Sequence, residues 1–116
     1  MSKKVLLLAF QGELMCFAHV LLHALNLHEK GYEVKVMIEG AAPQLLADLN
    51  NPDKPFSEMY KKVKDTGLID CVCKACAAKV GAVPEIEKQG LTFKGEVFGH
   101  PGLSTFIEAG YQIITF

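Results

Sequence analysis

The sequence contains no arginine and no tryptophan, and neither sign of charge is in real excess: 12 lysines stand against 13 acidic residues, for a formal net charge of -1. A nucleic-acid surface usually shows as a basic face. Without arginine the chain also has no planar fork with which to grip phosphate or guanine at two points, so no direct nucleic-acid partner is expected. Long hydrophobic runs are missing too. Val5 to Phe10 is an apolar run of six residues, closed by Gln11-Gly12-Glu13. That is shorter than the roughly 7–15 residues of a signal-peptide core and far below the ~20 needed to span a bilayer. Although the chain opens Met1-Ser2-Lys3-Lys4 in front of that run, the expectation is a cytoplasmic protein with no membrane partner. Gly-x-Gly-x-x-Gly, Gly-x4-Gly-Lys-Ser/Thr and Gly-x-Ser-x-Gly are all absent, so neither nucleotide binding nor serine hydrolysis has a motif to stand on. No cofactor is expected.

What is present is apolar residue, in quantity and in pattern. Half of the 116 residues are hydrophobic and the mean hydropathy is +0.21, which excludes disorder and fits one domain over residues 1–116. Lys4 to Phe10 reads as a strand covered on both faces. Gly12 to Lys30 reads as a helix, with Cys16, His19, His23, Asn26 and Lys30 on one solvated or interface stripe and leucines, Phe17 and Ala18 over most of the rest. Tyr32 to Ile38 alternates polar and apolar, as a strand near an edge would. A short helix from Pro43 to Leu49, a loop, and a helix carrying Phe56, Met59, Tyr60 and Val63 follow. Then come a strand over Leu68 to Val72, a helix over Lys74 to Val80, a helical turn after Val83, a strand over Leu91 to Phe98, a helix opening at His100-Pro101-Gly102 and a last strand from Tyr111 to Phe116. Five strands separated by helices imply an α/β domain of three layers, α/β/α, with a five-stranded, mainly parallel sheet.

In such sheets ligands bind outside the carboxyl ends of the strands, which makes three loops candidates: Phe10-Gln11-Gly12, Cys73 to Cys76 and Gly99 to Gly102. Gln11, Gly12 and Lys74 are the candidate substrate contacts, and the Glu39-Gly40 loop is expected out toward the sheet edge. Three of the four cysteines fall in Cys71-Val72-Cys73-Lys74-Ala75-Cys76, a cluster that suggests redox, sulfur or metal chemistry. Cys73 stands where a strand passes into a helix. There the first-turn N–H groups and the nearby Lys74 and Lys79 favour thiolate and lower its pKa. Cys76, three residues on, has dithiol spacing, Cys71 belongs to a strand interior, and His100 is an acid–base candidate on the crevice side. Three thiolates could begin a zinc or iron–sulfur site, yet no second cysteine pair or histidine pair follows at finger spacing, and no metal is assigned. A sulfur carrier, an interaction module with packed cysteines, and a dithiol-redox or metal-binding protein all stay open on these residues.

The segment Val72-Cys73-Lys74-Ala75-Cys76-Ala77-Ala78-Lys79-Val80-Gly81 resembles the strand-Cys-helix-Gly segment of the DsrE/DsrF-like family, which includes TusD-type sulfur-relay subunits. The opening Lys-Val-Leu-Leu-Leu-Ala-Phe strand, Gly31-Tyr32-Glu33-Val34, and the closing stretch through Ala109-Gly110-Tyr111-Gln112-Ile113-Ile114-Thr115-Phe116 are similar as well. The resemblance implies that Cys73 is the cysteine that carries a persulfide, that the chain assembles into homotrimers or hexamers, and that it acts as a sulfurtransferase relaying sulfur between donor and acceptor proteins. Cys71 and Cys76 exceed what one relay cysteine requires and leave room for a dithiol.

Overall fold

Apolar runs and helical periodicities alternate along the chain, and the folded elements follow them. In the computed structural model, which describes residues 3–116, the order is β1 (Lys4–Ala9), α1 (Leu14–Glu29), β2 (Glu33–Ile38), a 3-10 turn (Ala42–Leu45) running into α2 (Leu46–Leu49), α3 (Ser57–Asp65), β3 (Ile69–Cys73), α4 (Lys74–Lys79), α5 (Val83–Lys88), β4 (Phe93–Lys94), α6 (Ser104–Glu108) and β5 (Tyr111–Thr115). Met1 and Ser2, at the head of the lysine-led N-terminus, lie outside the described residues.

Among the described residues the strands form one parallel sheet in the order β4-β3-β2-β1-β5. The walk from β1 to β4 runs one way across the sheet, so right-handed connections put α1 to α5 on one face. The step to β5, on the far side of β1, reverses the walk and sends α6 to the other face. The result is the expected α/β/α arrangement with unequal outer layers. On the crowded face Phe17, Val20 and Leu21 of α1, Tyr60 and Val63 of α3, and Ile86 of α5 pack against Val5, Leu7, Val36, Ile38 and Val72. Each large side chain buried there stabilises the fold by about 1.5–3 kcal/mol. On the thin face Leu6, Leu8, Met37 and Cys71 sit under Phe106 of α6 and Tyr111. His19, His23, Asn26 and Lys30 of the α1 stripe are exposed and Cys16 is half-buried. No helix among the described residues is long and apolar enough to cross a membrane.

Three expectations need correction. β2 lies centrally between β1 and β3, not near an edge. Its polar residues misled because they find partners on the α6 side of the sheet while staying partly exposed. The Lys35 ammonium is 3.6 Å from Asp70 and lies over the rings of Phe106 and Tyr111, while Glu33 accepts a hydrogen bond from the Tyr111 hydroxyl. The fourth strand is only Phe93–Lys94 rather than Leu91 to Phe98: beyond Gly95 the chain turns into a tight hairpin in which Val97 bridges His100. That hairpin also delays α6, which begins at Ser104 and not at His100.

A further irregularity aims side chains. Val36 is opposite Ile69 and Met37 opposite Cys71, which leaves Asp70 as an extra residue in β3. The bulge lets both Ile69 and Val72 join the crowded face while Asp70 meets Lys35 at 3.6 Å and Lys94 at 2.9 Å. Bulges of this kind re-aim side chains and recur beside functional sites.

Candidate functional site

The buried end of β3 delivers Cys73 directly to the start of α4. Cys73 is the extended residue ahead of the helix, and its sulfur accepts the Cys76 N–H at 3.4 Å, the place a serine hydroxyl commonly takes. Cys76 follows one turn later. The third member comes from the hairpin after β4. Val97 and His100 exchange backbone hydrogen bonds of 2.7 and 2.8 Å, and between them Phe98 and Gly99 are both left-handed, with φ of 51° and 89°, as in a two-residue type I′ turn. Gly99 is required for a second reason: a Cβ there would lie 3.0 Å from that of Ala75. This close approach lets the Gly99 carbonyl accept the Ala75 N–H at 2.9 Å and the Cys73 thiol at 3.8 Å. The hairpin is thereby fastened over α4, and Nδ1 of His100 rests 3.0 Å from Cys73 Sγ and 3.5 Å from Cys76 Sγ.

The three groups differ in access. Cys73 is fully buried, Cys76 is half-buried and His100 is exposed. Cys76 and His100 form part of the lining of a cleft of about 620 Å³, together with Phe10, Gly40, Ala41, Ala75, Lys79 and Val80. Cys73 is not part of that lining, but its sulfur lies 3.0 Å from Nδ1 of His100, which is.

The electrostatics overturn one expectation. Burial pushes the Cys73 thiol up to about 12, with the hydrogen bond and charge of Cys76 and the carboxylate of Glu39 acting in the same direction and the Cys76 backbone N–H opposing them. At neutral pH the resting state is therefore a thiol. The six residues of α4 present few N–H groups, and Lys74 is exposed; together they do not offset desolvation beside a carboxylate. The nearest side-chain nitrogen to this thiol is Nδ1 of His100, 3.0 Å away, a distance over which a proton can be exchanged.

Of the other sequence candidates, Cys71 is buried in the α6-side core and its thiol is likewise pushed to about 12, first by burial and then by Asp70. It is not one of the converging groups, so the three-thiolate arrangement is replaced by two cysteines and His100. Gly12 abuts the cleft rim, since a Cβ on it would lie 2.8 Å from that of Ala41. Gln11 is exposed and bonds through its N–H to the Phe116 carbonyl at 3.2 Å; neither it nor Lys74 lines the cleft, whereas Lys79 does. Glu39 was missed. It directly follows β2, and burial raises its carboxyl while His100 lowers it. Its signal was the first polar residue after Val36-Met37-Ile38, but an edge placement for β2 carried the Glu39-Gly40 loop away from Cys73.

Comparison with known proteins gives a consistent picture. The sequence profile of the DsrE/DsrF-like family matches residues 11–116. An uncharacterized protein of Methanocaldococcus jannaschii is 38% identical over 104 residues, covering 90% of this chain and 83% of its own length. An uncharacterized protein of Archaeoglobus fulgidus is 43% identical over 42 residues, 36% of this chain and 69% of that one. A solved structure of a conserved protein of unknown function from Bacteroides thetaiotaomicron superimposes with a TM-score of 0.71 over 97% of this chain and 95% of its own, at 19% identity. That likeness bears on the fold alone.

Proposed function

The chain belongs to the DsrE/DsrF-like family, which is associated with sulfur relay, and on that premise we propose that it is a sulfur carrier acting as one domain, holding sulfane sulfur as a persulfide on Cys73. The observation that carries this reading is the 3.0 Å approach of His100 Nδ1 to a buried thiol with a second thiol in the same cluster. His100 takes the Cys73 proton, and the thiolate attacks the outer sulfur of a donor persulfide. The donor S–S bond breaks, and the donor leaves as a thiolate that recovers a proton. The new outer sulfur extends about 2 Å beyond Sγ, toward the cleft floor between Cys76 and His100.

Two exits follow from that position. An acceptor thiol that enters the cleft attacks the outer sulfur, takes it as a new persulfide and returns Cys73 to thiolate. Alternatively Cys76 attacks the inner sulfur, forming a Cys73–Cys76 disulfide and expelling hydrosulfide, which resets the pair only after two-electron reduction. Lys79 at the cleft wall supplies positive charge beside the persulfide anion; Gln11 and Lys74 belong to the outer surface an acceptor would touch. The exposed apolar residues Phe10, Met15 and Leu22 support self-association as a homotrimer or hexamer in the cytoplasm, with donor and acceptor proteins as the remaining partners, and sedimentation velocity tests that assembly. Intact mass after incubation with a small persulfide donor tests the chemistry. A gain of about 32 Da per sulfur that disappears with dithiothreitol and in Cys73→Ser supports the reading, and an unmodified wild-type chain overturns it.

A further inference from the structure

We propose that Cys73, Cys76 and His100 form a binding site for a zinc-type divalent cation, through two thiolate sulfurs and one imidazole nitrogen. The three donor atoms lie within 4.8 Å of one another, the only such convergence of histidine, cysteine and carboxylate groups among the described residues. Zinc holds sulfur at about 2.3 Å and nitrogen at about 2.0–2.1 Å in a tetrahedron, which places sulfur and nitrogen ligands about 3.5 Å apart. The observed sulfur-to-nitrogen separations are 3.0 and 3.5 Å. One pair already has the required spacing and the other needs to widen by about half an ångström.

The supporting backbone is braced on both sides. Cys73 and Cys76 are tied by the N–H to sulfur bond at the start of α4, and His100 is tied to the same helix through Gly99 and Ala75. A cation bridging the two segments binds parts that already touch, so little chain has to be ordered. The charge balances. Binding releases one proton from each thiol to solvent, and two thiolates neutralise the divalent ion in a site whose inner member is fully buried. Three protein ligands leave a fourth position, and the exposed histidine and half-buried Cys76 turn it toward the cleft, where water completes the tetrahedron. Such an open position is the arrangement of an exchangeable site rather than a closed structural one. The site shares residues with the sulfur carrier but does not depend on that reading. A bound cation occupies both sulfurs, so metal and persulfide exclude each other on the same chain.

The full-length, anaerobically reduced chain is titrated with zinc against a chromophoric chelator, and with cobalt(II) as a spectroscopic probe. The expected result is one ion per chain, release of two protons, and a sulfur-to-cobalt charge-transfer band. Cys73→Ser and Cys76→Ser should each weaken binding by more than the roughly 10–100-fold typical of outer-shell changes, and His100→Gln should weaken it at least tenfold, with Cys16→Ser unchanged. Circular dichroism of each variant shows that it is folded. Failure to bind zinc, or wild-type affinity in folded Cys76→Ser or His100→Gln, overturns the site. The persulfide mass assay is run on chelator-treated protein, so either proposal can fail while the other stands.

Discussion

Replacing His100 with Asn tests how a buried thiol becomes a nucleophile. With Cys73 pushed up to about 12, only about one chain in 10⁴ to 10⁵ carries the thiolate at pH 7.5, too few for a relay that reacts from the resting state. A positioned base contributes about 10²–10⁴-fold to such a step, and His100 Nδ1 is the nitrogen found at 3.0 Å from the sulfur. Asparagine has a similar reach at this exposed position but cannot take the proton, and an exposed substitution is expected to change stability by no more than about 0.5 kcal/mol. In a Cys16→Ser, Cys76→Ser background, the rate at which Cys73 reacts with iodoacetamide near pH 7.5 should therefore fall by about 10²-fold or more in His100→Asn. The variant's rate should also climb about tenfold per pH unit well into the alkaline range, because only free hydroxide then makes the thiolate. An unchanged rate with an unchanged pH profile would refute the role given to His100. Urea unfolding of both proteins excludes a loss of fold as the cause.

Other consequences are read as stability. Cys71 and Cys73 are both pushed from 9.0 to about 12, so the unfolded chain gives up their protons first. The stability from keeping them protonated is complete below about pH 8.5 and is lost as pH rises toward 12. Urea midpoints measured across that window should fall less steeply in Cys71→Ala, and a parallel fall contradicts the assignment. Burial pushes the Asp70 carboxyl up, but the Lys94 hydrogen bond, the Cys71 thiol and the charges of Lys94 and Lys35 outweigh it and hold it below its ordinary value. That stability is present above about pH 4 and is lost as pH falls through the lowered value. Asp70→Asn should cost about 1–3 kcal/mol near neutrality and flatten the acid limb in chemical denaturation; an unaltered acid limb counts against it. Phe98 is 97% exposed and left-handed at φ 51°, where a side-chain-bearing residue is strained by roughly 1–2 kcal/mol. Phe98→Asn should raise the urea midpoint by up to about 1 kcal/mol of stability, and a lowered midpoint would show that the ring contributes to the fold.

Much of this arrangement could be read from the chain. The apolar run that became β1, covered on both faces, and the glycines after α1, α3 and α4 marked the alternation of strands and helices, whereas β5, an edge strand with Gln112, Ile114 and Thr115 exposed, was marked by its Ile and Tyr residues after Gly110. Cys73 and His100 were legible as site candidates because each ends a strand-like run on the side where parallel sheets bind ligands. What the sequence hid was long-range. Lys35 reads as an edge residue until Asp70, Phe106 and Tyr111 are seen beside it, and that misplacement concealed Glu39. The Asp70 bulge depends on register between β2 and β3, which no local pattern encodes. The hairpin that contacts the Cys73 thiol reaches it from 26 residues away, and the close spacing of Gly95, Gly99 and Gly102 was the one local hint of that turn.

On the proposed function, sulfur rests on Cys73 rather than on the more accessible Cys76. Labelled sulfane sulfur supplied by a persulfide donor, followed by alkylation under non-reducing conditions and peptide mapping by mass spectrometry, locates the added atom directly. The label is expected on Cys73 in the wild-type chain, retained and longer-lived in Cys76→Ser, which lacks the thiol that would expel it as hydrosulfide. Label found on Cys76 and persisting in Cys73→Ser would contradict it.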